Sequence, residues 1–267
     1  MEFKDTQVFN FKGAFRGLRN PKESWNRSDS FFGIVNLEYP QDGREEVVDL
    51  WVMQELARSH NQVEPYSKEW EELWEKYDLW LWDNSALQWD NDIAVVAALG
   101  PADLELAQKL VLSGDEHMKF MRQIFVCVDI TAPIYWFKEF DTYKVGTVAN
   151  STSTMHKLTS EPITPDKFEW DVNFGEYQDA IMNTCETLRQ KYLETKDKSY
   201  WRALIQLLPE SWLQTRTVTM TYANLRNIYF QRLNHKLIEW RHFCDWIARL
   251  PYGGELIMLE EKENETN

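Results

Sequence analysis

Hydrophobic positions spaced three and four apart recur through most of this chain and predict helices, while a few shorter apolar or β-branched runs read as strands. Residues 7–11, QVFNF, read as a first strand, and the polar stretch that follows to residue 35 reads as a loop. In residues 36–100, Val47, Val48, Leu50, Trp51 and Leu56 form one helical stripe, and Trp70, Leu73, Trp74 and Tyr77 form another. Pro101 and Asp103 suit a helix start, Leu104, Ala107, Leu110 and Val111 make its apolar face, and Gly114 stops it. Residues 124–130 form a short run, apolar on both faces except Asp129, which suits a strand inside a sheet. Asp129 is then expected at the strand's exit or paired, because an unpaired buried carboxylate costs too much. An amphipathic segment follows from Ala132 and runs into a hydroxyl-rich stretch, residues 146–153, GTVANSTS, read as a loop. Pro162 and Pro165 mark a further loop. Residues 177–196 and 199–207 read as helices, 212–222 as a β-branched strand carrying Thr215, Thr217, Thr219 and Thr221 on one side, and 224–233 and 236–250 as two more helices. Strands mixed with segregated helices make the fold class α+β.

Composition narrows the class. At 267 residues the chain supports one substantial core, read as a single domain with an insertion at 36–100 and a frayed acidic tail at 260–267. The insertion is acidic and carries six tryptophans between Trp51 and Trp89, which serve as its core or as a surface for a protein partner. Thirteen tryptophans and fourteen phenylalanines supply apolar area without disulfides or a structural metal. Cys127, Cys185 and Cys244 are widely spaced within apolar patterns, as small hydrophobes of a reducing compartment are, and the five histidines show no ligand spacing with them. No secretory or membrane-spanning segment is visible, so a cytoplasmic location is expected. A net charge of −14 opposes nucleic acid and anionic membrane, while leaving room for a local basic pocket that takes a mononucleotide.

Residues 132–158, APIYWFKEFDTYKVGTVANSTSTMHKL, resemble the central motif of the flavin-dependent thymidylate synthases, the ThyX family, without a gap. That family runs from an Ala-Pro-Ile/Leu helix start through Arg-Gln and Arg-His-Arg to spaced Ser, Asn-Glu, Ser and Arg-Tyr. Lys138 and Glu139 fall on Arg-Gln; Thr142, Tyr143 and Lys144 fall on Arg-His-Arg; Thr147 and Thr152 take the serines. Ala149 and Asn150 take Asn-Glu, and Thr154 and Met155 take Arg-Tyr. Only Lys144, Thr147 and Thr152 keep the chemical type, so the scaffold is better matched than the active site. A second patch, Leu208-Pro209, Thr215-Arg216, Asn224-Leu225-Arg226 and Tyr229-Phe230, is similar to the family's C-terminal series, and Gly114 to Arg122 resembles the stretch before its central strand.

The resemblance implies a ThyX-like mixed sheet with packed helices and a homo-oligomer, a tetramer, whose sites are assembled from several subunits. It implies dUMP as substrate, contacted by Lys144, Thr147, Ser151, Thr152 and Arg216. It implies FAD contacted by Arg122, Tyr143, Asn224 and Arg226, with NADPH and methylenetetrahydrofolate as co-substrates where reductive methylation at C5 is retained. Proteins resembling this family occur in bacterial viruses and their hosts, and a relative that has lost catalysis and acts as a binding or assembly module is the alternative.

The residues themselves leave several choices open. The 146–153 stretch either wraps a phosphate with backbone amides and hydroxyls or is an ordinary polar turn. Arg216, in a threonine-rich strand, needs an anion if buried: a ligand phosphate or a protein carboxylate such as Glu139. Arg226 and Arg232 are solvated surface charges or ligand contacts. Lysine and tyrosine at 144 and 143 supply neither a bidentate fork nor, for tyrosine, positive charge. His156 and His235 are structural or acid–base groups.

Overall fold

The computed structural model describes residues 1–36, 68, 86–90 and 93–260. In chain order it contains strand β1 (Glu2–Phe9), helix α1 (Phe11–Arg19), strands β2 (Phe31–Asn36), β3 (Ala86–Asp90) and β4 (Ile93–Ala98), and helix α2 (Pro101–Leu112). Strand β5 (Phe125–Pro133), helix α3 (Ile134–Phe140), strand β6 (Val148–Ser151) and helices α4 (Thr154–Lys157), α5 (Glu176–Thr195) and α6 (Lys198–Leu207) follow. Strand β7 (Leu213–Thr221) then leads into α7 (Tyr222–Arg232) and α8 (Ile238–Ala248). One sheet has the order β1-β5-β7-β6 and a second, antiparallel, has the order β2-β4-β3. The α+β class holds.

Three local expectations are corrected. The first strand starts at Glu2, and the polar stretch after it contains helix α1. Residues 146–153 are not all loop: Val148–Ser151 pair antiparallel with β7, from Val148 opposite Thr219 to Ser151 opposite Arg216. The last part of the 36–100 block is not helical, because β3 and β4 pair with Ala86 opposite Ala97 and Asp90 opposite Ile93. The two tryptophan-bearing stripes at 47–77 and the tail after residue 260 lie outside the described residues.

By compactness the chain divides into two units. The first comprises residues 1–6, 127–219 and 237–242. Along β5, Val128, Ile130 and Ala132 are fully buried together with Val218 of β7, while Cys127, Asp129 and Thr131 on the other face are half-buried. That second face is polar rather than apolar. Asp129 is paired there, accepting from the Thr217 hydroxyl at 2.5 Å, and Thr131 and Thr215 share a 2.7 Å hydroxyl bond. Pro133, extended at φ −68° and ψ 151°, turns the strand into α3. Trp136, Phe137 and Phe140 of that short helix are buried, Trp136 stacking on Phe140 at 4.9 Å and meeting Trp240 at 4.9 Å. Helices α5 and α6 close a smaller core of Leu158, Ile163, Phe168, Cys185 and Leu204.

The second unit comprises residues 7–126, 220–236 and 243–267. Helix α1 buries Phe11, Phe15 and Leu18, with Phe11 edge-on to Tyr222 and Tyr252 at 5.7 Å each. Helix α2 begins on Gly100, which has no side chain to cap it, and Asp29 does so instead, accepting from Ala102 N at 2.8 Å and Asp103 N at 3.0 Å. Gly100 is needed there, since a Cβ would stand 2.2 Å from the Asp29 carboxyl. Asp103 is completely buried and satisfied by Arg19 Nε at 2.5 Å and the hydroxyls of Ser28 and Ser30 at 2.5 and 2.6 Å. Tyr252, in the left-handed region at φ 55°, is buried; its hydroxyl accepts from Leu99 N–H and donates to Ala97 O.

Candidate functional site

The expected nucleotide residues all lie in the first unit, and Arg216 organises them. On β7 its side chain shares a sheet face with Gln214 and Val218, at the polar end of an otherwise apolar row. Its Cζ lies 3.9 Å from the centre of the Phe137 ring, Nε donates to Gln214 Oε1 at 2.9 Å, and Nη1 donates to Asp141 Oδ1 at 2.6 Å. Phe137 and Asp141 are four residues apart at the end of α3, which puts them on one helix face and lets one guanidinium stack on the first and pair with the second. Glu139, the carboxylate expected from sequence, sits on the opposite face and accepts from Trp240 Nε1 at 2.9 Å. The protein carboxylate facing Arg216 is therefore Asp141, because helix geometry turns Glu139 away.

Ser151 stands directly opposite Arg216 in the β6–β7 register, so its exposed hydroxyl is on the arginine's face. Thr152 is bound into the strand pair: its N–H donates to Thr215 O at 2.9 Å, its hydroxyl accepts from Thr215 N at 3.3 Å, and its carbonyl accepts from Gln214 Nε2 at 3.0 Å. Thr152 therefore fixes Gln214, which in turn holds Arg216. Thr147 Oγ1 is enclosed and lacks a hydrogen-bond partner among the described residues. Lys144 is exposed and makes no ion pair among the described residues. Sequence reasoning missed Phe137, Asp141 and Gln214. The signal was present in the four-residue spacing of the first two and the two-residue spacing of Gln214 and Arg216.

The residues expected at a flavin have other occupations. In the first unit, the Tyr143 ring meets Trp240 edge-on at 5.9 Å. In the second, Asn224 forms a capping box with Thr221: its carboxamide oxygen accepts from Thr221 N at 3.1 Å while the Thr221 hydroxyl accepts from Asn224 N. Arg122 is exposed and donates to Asp115 O at 3.2 Å. Arg226 is not a solvated charge. Its Nη1 donates to the carbonyls of Ile257 and Leu259 at 2.7 and 2.6 Å and its guanidinium lies over Phe230. Burial pulls its pKa below the usual guanidinium value, against the opposing pull of Glu260 and Asp115. Arg226 lines a groove of about 560 Å³ with Val111, Leu112, Met118, Phe230 and the carboxylates of Asp115 and Glu260. His156 is exposed, its backbone N–H capped by Ser153 Oγ at 3.2 Å. Among the described residues no group of three or more His, Cys, Asp or Glu is placed to hold a metal, and no helix is long and apolar enough to cross a membrane.

The fold is that of the flavin-dependent thymidylate synthases. The thymidylate synthase X of Helicobacter pylori, solved with FAD and dUMP, superposes with a TM-score of 0.56 at 14% identity, covering 96% of this chain and 97% of that one. A second structure of the enzyme from the same organism, complexed with FAD and dUMP, covers 70% of this chain and 89% of that one at 15% identity and a TM-score of 0.49. No protein-family profile matches the chain, and no curated protein matches it in sequence.

Proposed function

We propose that this protein binds a pyrimidine nucleotide of the dUMP type, gripping its phosphate with Arg216, Ser151 and Lys144. The observation that carries the reading is the Arg216 guanidinium, held flat by Phe137 and Gln214 beside an exposed edge strand, on a fold whose structural neighbour holds dUMP. A planar fork already immobilised loses little entropy on meeting an oxyanion. Thr147, whose enclosed hydroxyl lacks a partner among the described residues, becomes a further donor only where ligand binding opens its surroundings. Arg216→Ala is expected to weaken dUMP binding about thirty- to a hundredfold by removing a charge-assisted contact, with Arg216→Lys recovering part of the loss. Calorimetric titration reads this directly. Unchanged affinity accompanied by a lowered melting temperature would mean that Arg216 serves only as the structural partner of Asp141.

Of the four residues expected at a flavin, Arg226 lines a groove among the described residues, and it does so with Nη1 already held by two carbonyls. Asp115 and Glu260 share that lining with Arg226, so the groove carries both signs of charge and offers an anionic pyrophosphate no uniformly basic cradle. On the strength of the other bonds these residues make, we read the chain as a nucleotide-binding protein, with an assembly role as the alternative to reductive methylation. Absorbance titration with FAD tests it, and saturable binding at micromolar concentration would restore the flavin-dependent reading.

A further inference from the structure

Arg216 presents two unequal edges. Nε is taken by Gln214, and Nη1 is taken by Asp141, which uses only Oδ1. No protein group bonds Nη2 among the described residues. The end-on fork formed by Nη1 and Nη2, the edge that grips two oxygens of a phosphate, is thus half occupied by a carboxylate of the chain itself. The two partners differ in freedom: the Arg216 side chain is 15% exposed and pinned on Phe137, whereas the Asp141 side chain is 54% exposed and stands at the C-terminal cap of α3. Asp141 is the member of the pair that can move without disturbing the core.

From this geometry, and resting on the nucleotide reading above, we infer that Asp141 is an exchangeable counter-anion that sets the affinity and charge selectivity of the site. In the ligand-free protein it neutralises Arg216. A bound phosphate takes the Nη1–Nη2 fork and turns Asp141 out into solvent, so part of the phosphate's binding energy is spent displacing it. The repulsion between a carboxylate and a phosphate sharing one guanidinium makes the penalty specific to anionic ligands. A neutral nucleoside, which makes no demand on the fork, escapes it.

The test compares dUMP, inorganic phosphate and uncharged deoxyuridine on the parent, Asp141→Asn and Arg216→Ala. Asn keeps an oxygen acceptor for Nη1 and removes the charge, and Asp141→Ser serves as a second variant should the first fail to fold. Asp141→Asn is expected to bind dUMP and inorganic phosphate about tenfold more tightly while deoxyuridine affinity stays put. In the unmutated chain, NMR of the arginine side chains should show the Nε–H signal of Arg216 retained and its Nη1 signal shifted on adding phosphate. Asp141→Asn binding dUMP no better than the parent, with Arg216→Ala still weakening it, would overturn the counter-anion role and leave the nucleotide site standing. Equal dUMP affinity in the parent and Arg216→Ala would overturn the nucleotide site itself, and the counter-anion role with it.

Discussion

Single carboxylates in this protein are tuned by the donors aimed at them, and Glu186 shows it on helix α5. Arg189 donates to it from Nε and Nη2 at 2.7 Å each, and the backbone N–H of Ile163 and the Gln190 amide add to the grip. The Arg189 bond is the largest influence, and together these donors lower the carboxyl pKa from 4.5 to about 2. A carboxylate whose folded pKa is depressed stabilises the protein above its unfolded pKa. That stability is lost as pH falls from about 4.5 towards 2. Acid melts of the parent should therefore drop more steeply across that window than melts of Glu186→Gln, by about 1 kcal/mol once solvent screening of the pair is allowed for. Parallel curves would show that the unfolded chain holds the same pair.

At the scale of elements, the entry to α2 gathers two different requirements into the Ser28-Asp29-Ser30 segment. Asp29 caps the helix, and the two serines help satisfy Asp103, which is buried against Arg19. Asp103→Ala leaves a buried guanidinium without its carboxylate and is expected to cost about 3–5 kcal/mol, measured by denaturant melts. A double replacement, Asp103→Leu with Arg19→Met, should recover much of that loss. If it is no more stable than the single variant, the pair is required for more than charge balance. Elements of this kind differ in how plainly sequence announces them. The long helix read at 177–196 is found at Glu176–Thr195, and the threonine-bearing strand at Leu213–Thr221, because both carry sustained periodicity. Helix α1 was hidden by Gly13 and Gly17, which weaken helix propensity; a Cβ there would stand 2.2 Å from Asn10 Oδ1 and 2.7 Å from Gln123 Oε1, so those two side chains would have to shift. Strand β6 was hidden because all four of its residues are exposed, so it has no apolar alternation and is defined by β7 alone. The same limit applies to the site. Arg216 stands out as a guanidinium in a threonine strand, whereas its choice of Asp141 over Glu139 depends on the helix phase of α3.

On the scale of the whole molecule, β6 ends its sheet and is exposed throughout, with Val148 67% exposed and Val145 just before it 86% exposed. An edge strand with apolar side chains that no described residue covers invites pairing or burial against another chain, and this one carries no lysine or proline to blunt it. The site uses the same segment, since Ser151 of β6 faces Arg216. A second copy of the chain covering β6 would shield both apolar residues and exclude water from the arginine, strengthening its hold on an anion. We therefore expect a homo-oligomer, a tetramer by the resemblance in sequence, with its interface running over residues 145–151. Sedimentation or light scattering at micromolar concentration measures the mass. Val148→Lys, which leaves every Arg216 contact in place, should lower that mass and weaken dUMP binding together, by about tenfold for the latter. A monomeric parent would remove the interface, and an unchanged dUMP affinity in a dissociated Val148→Lys would show that each chain builds its phosphate grip alone.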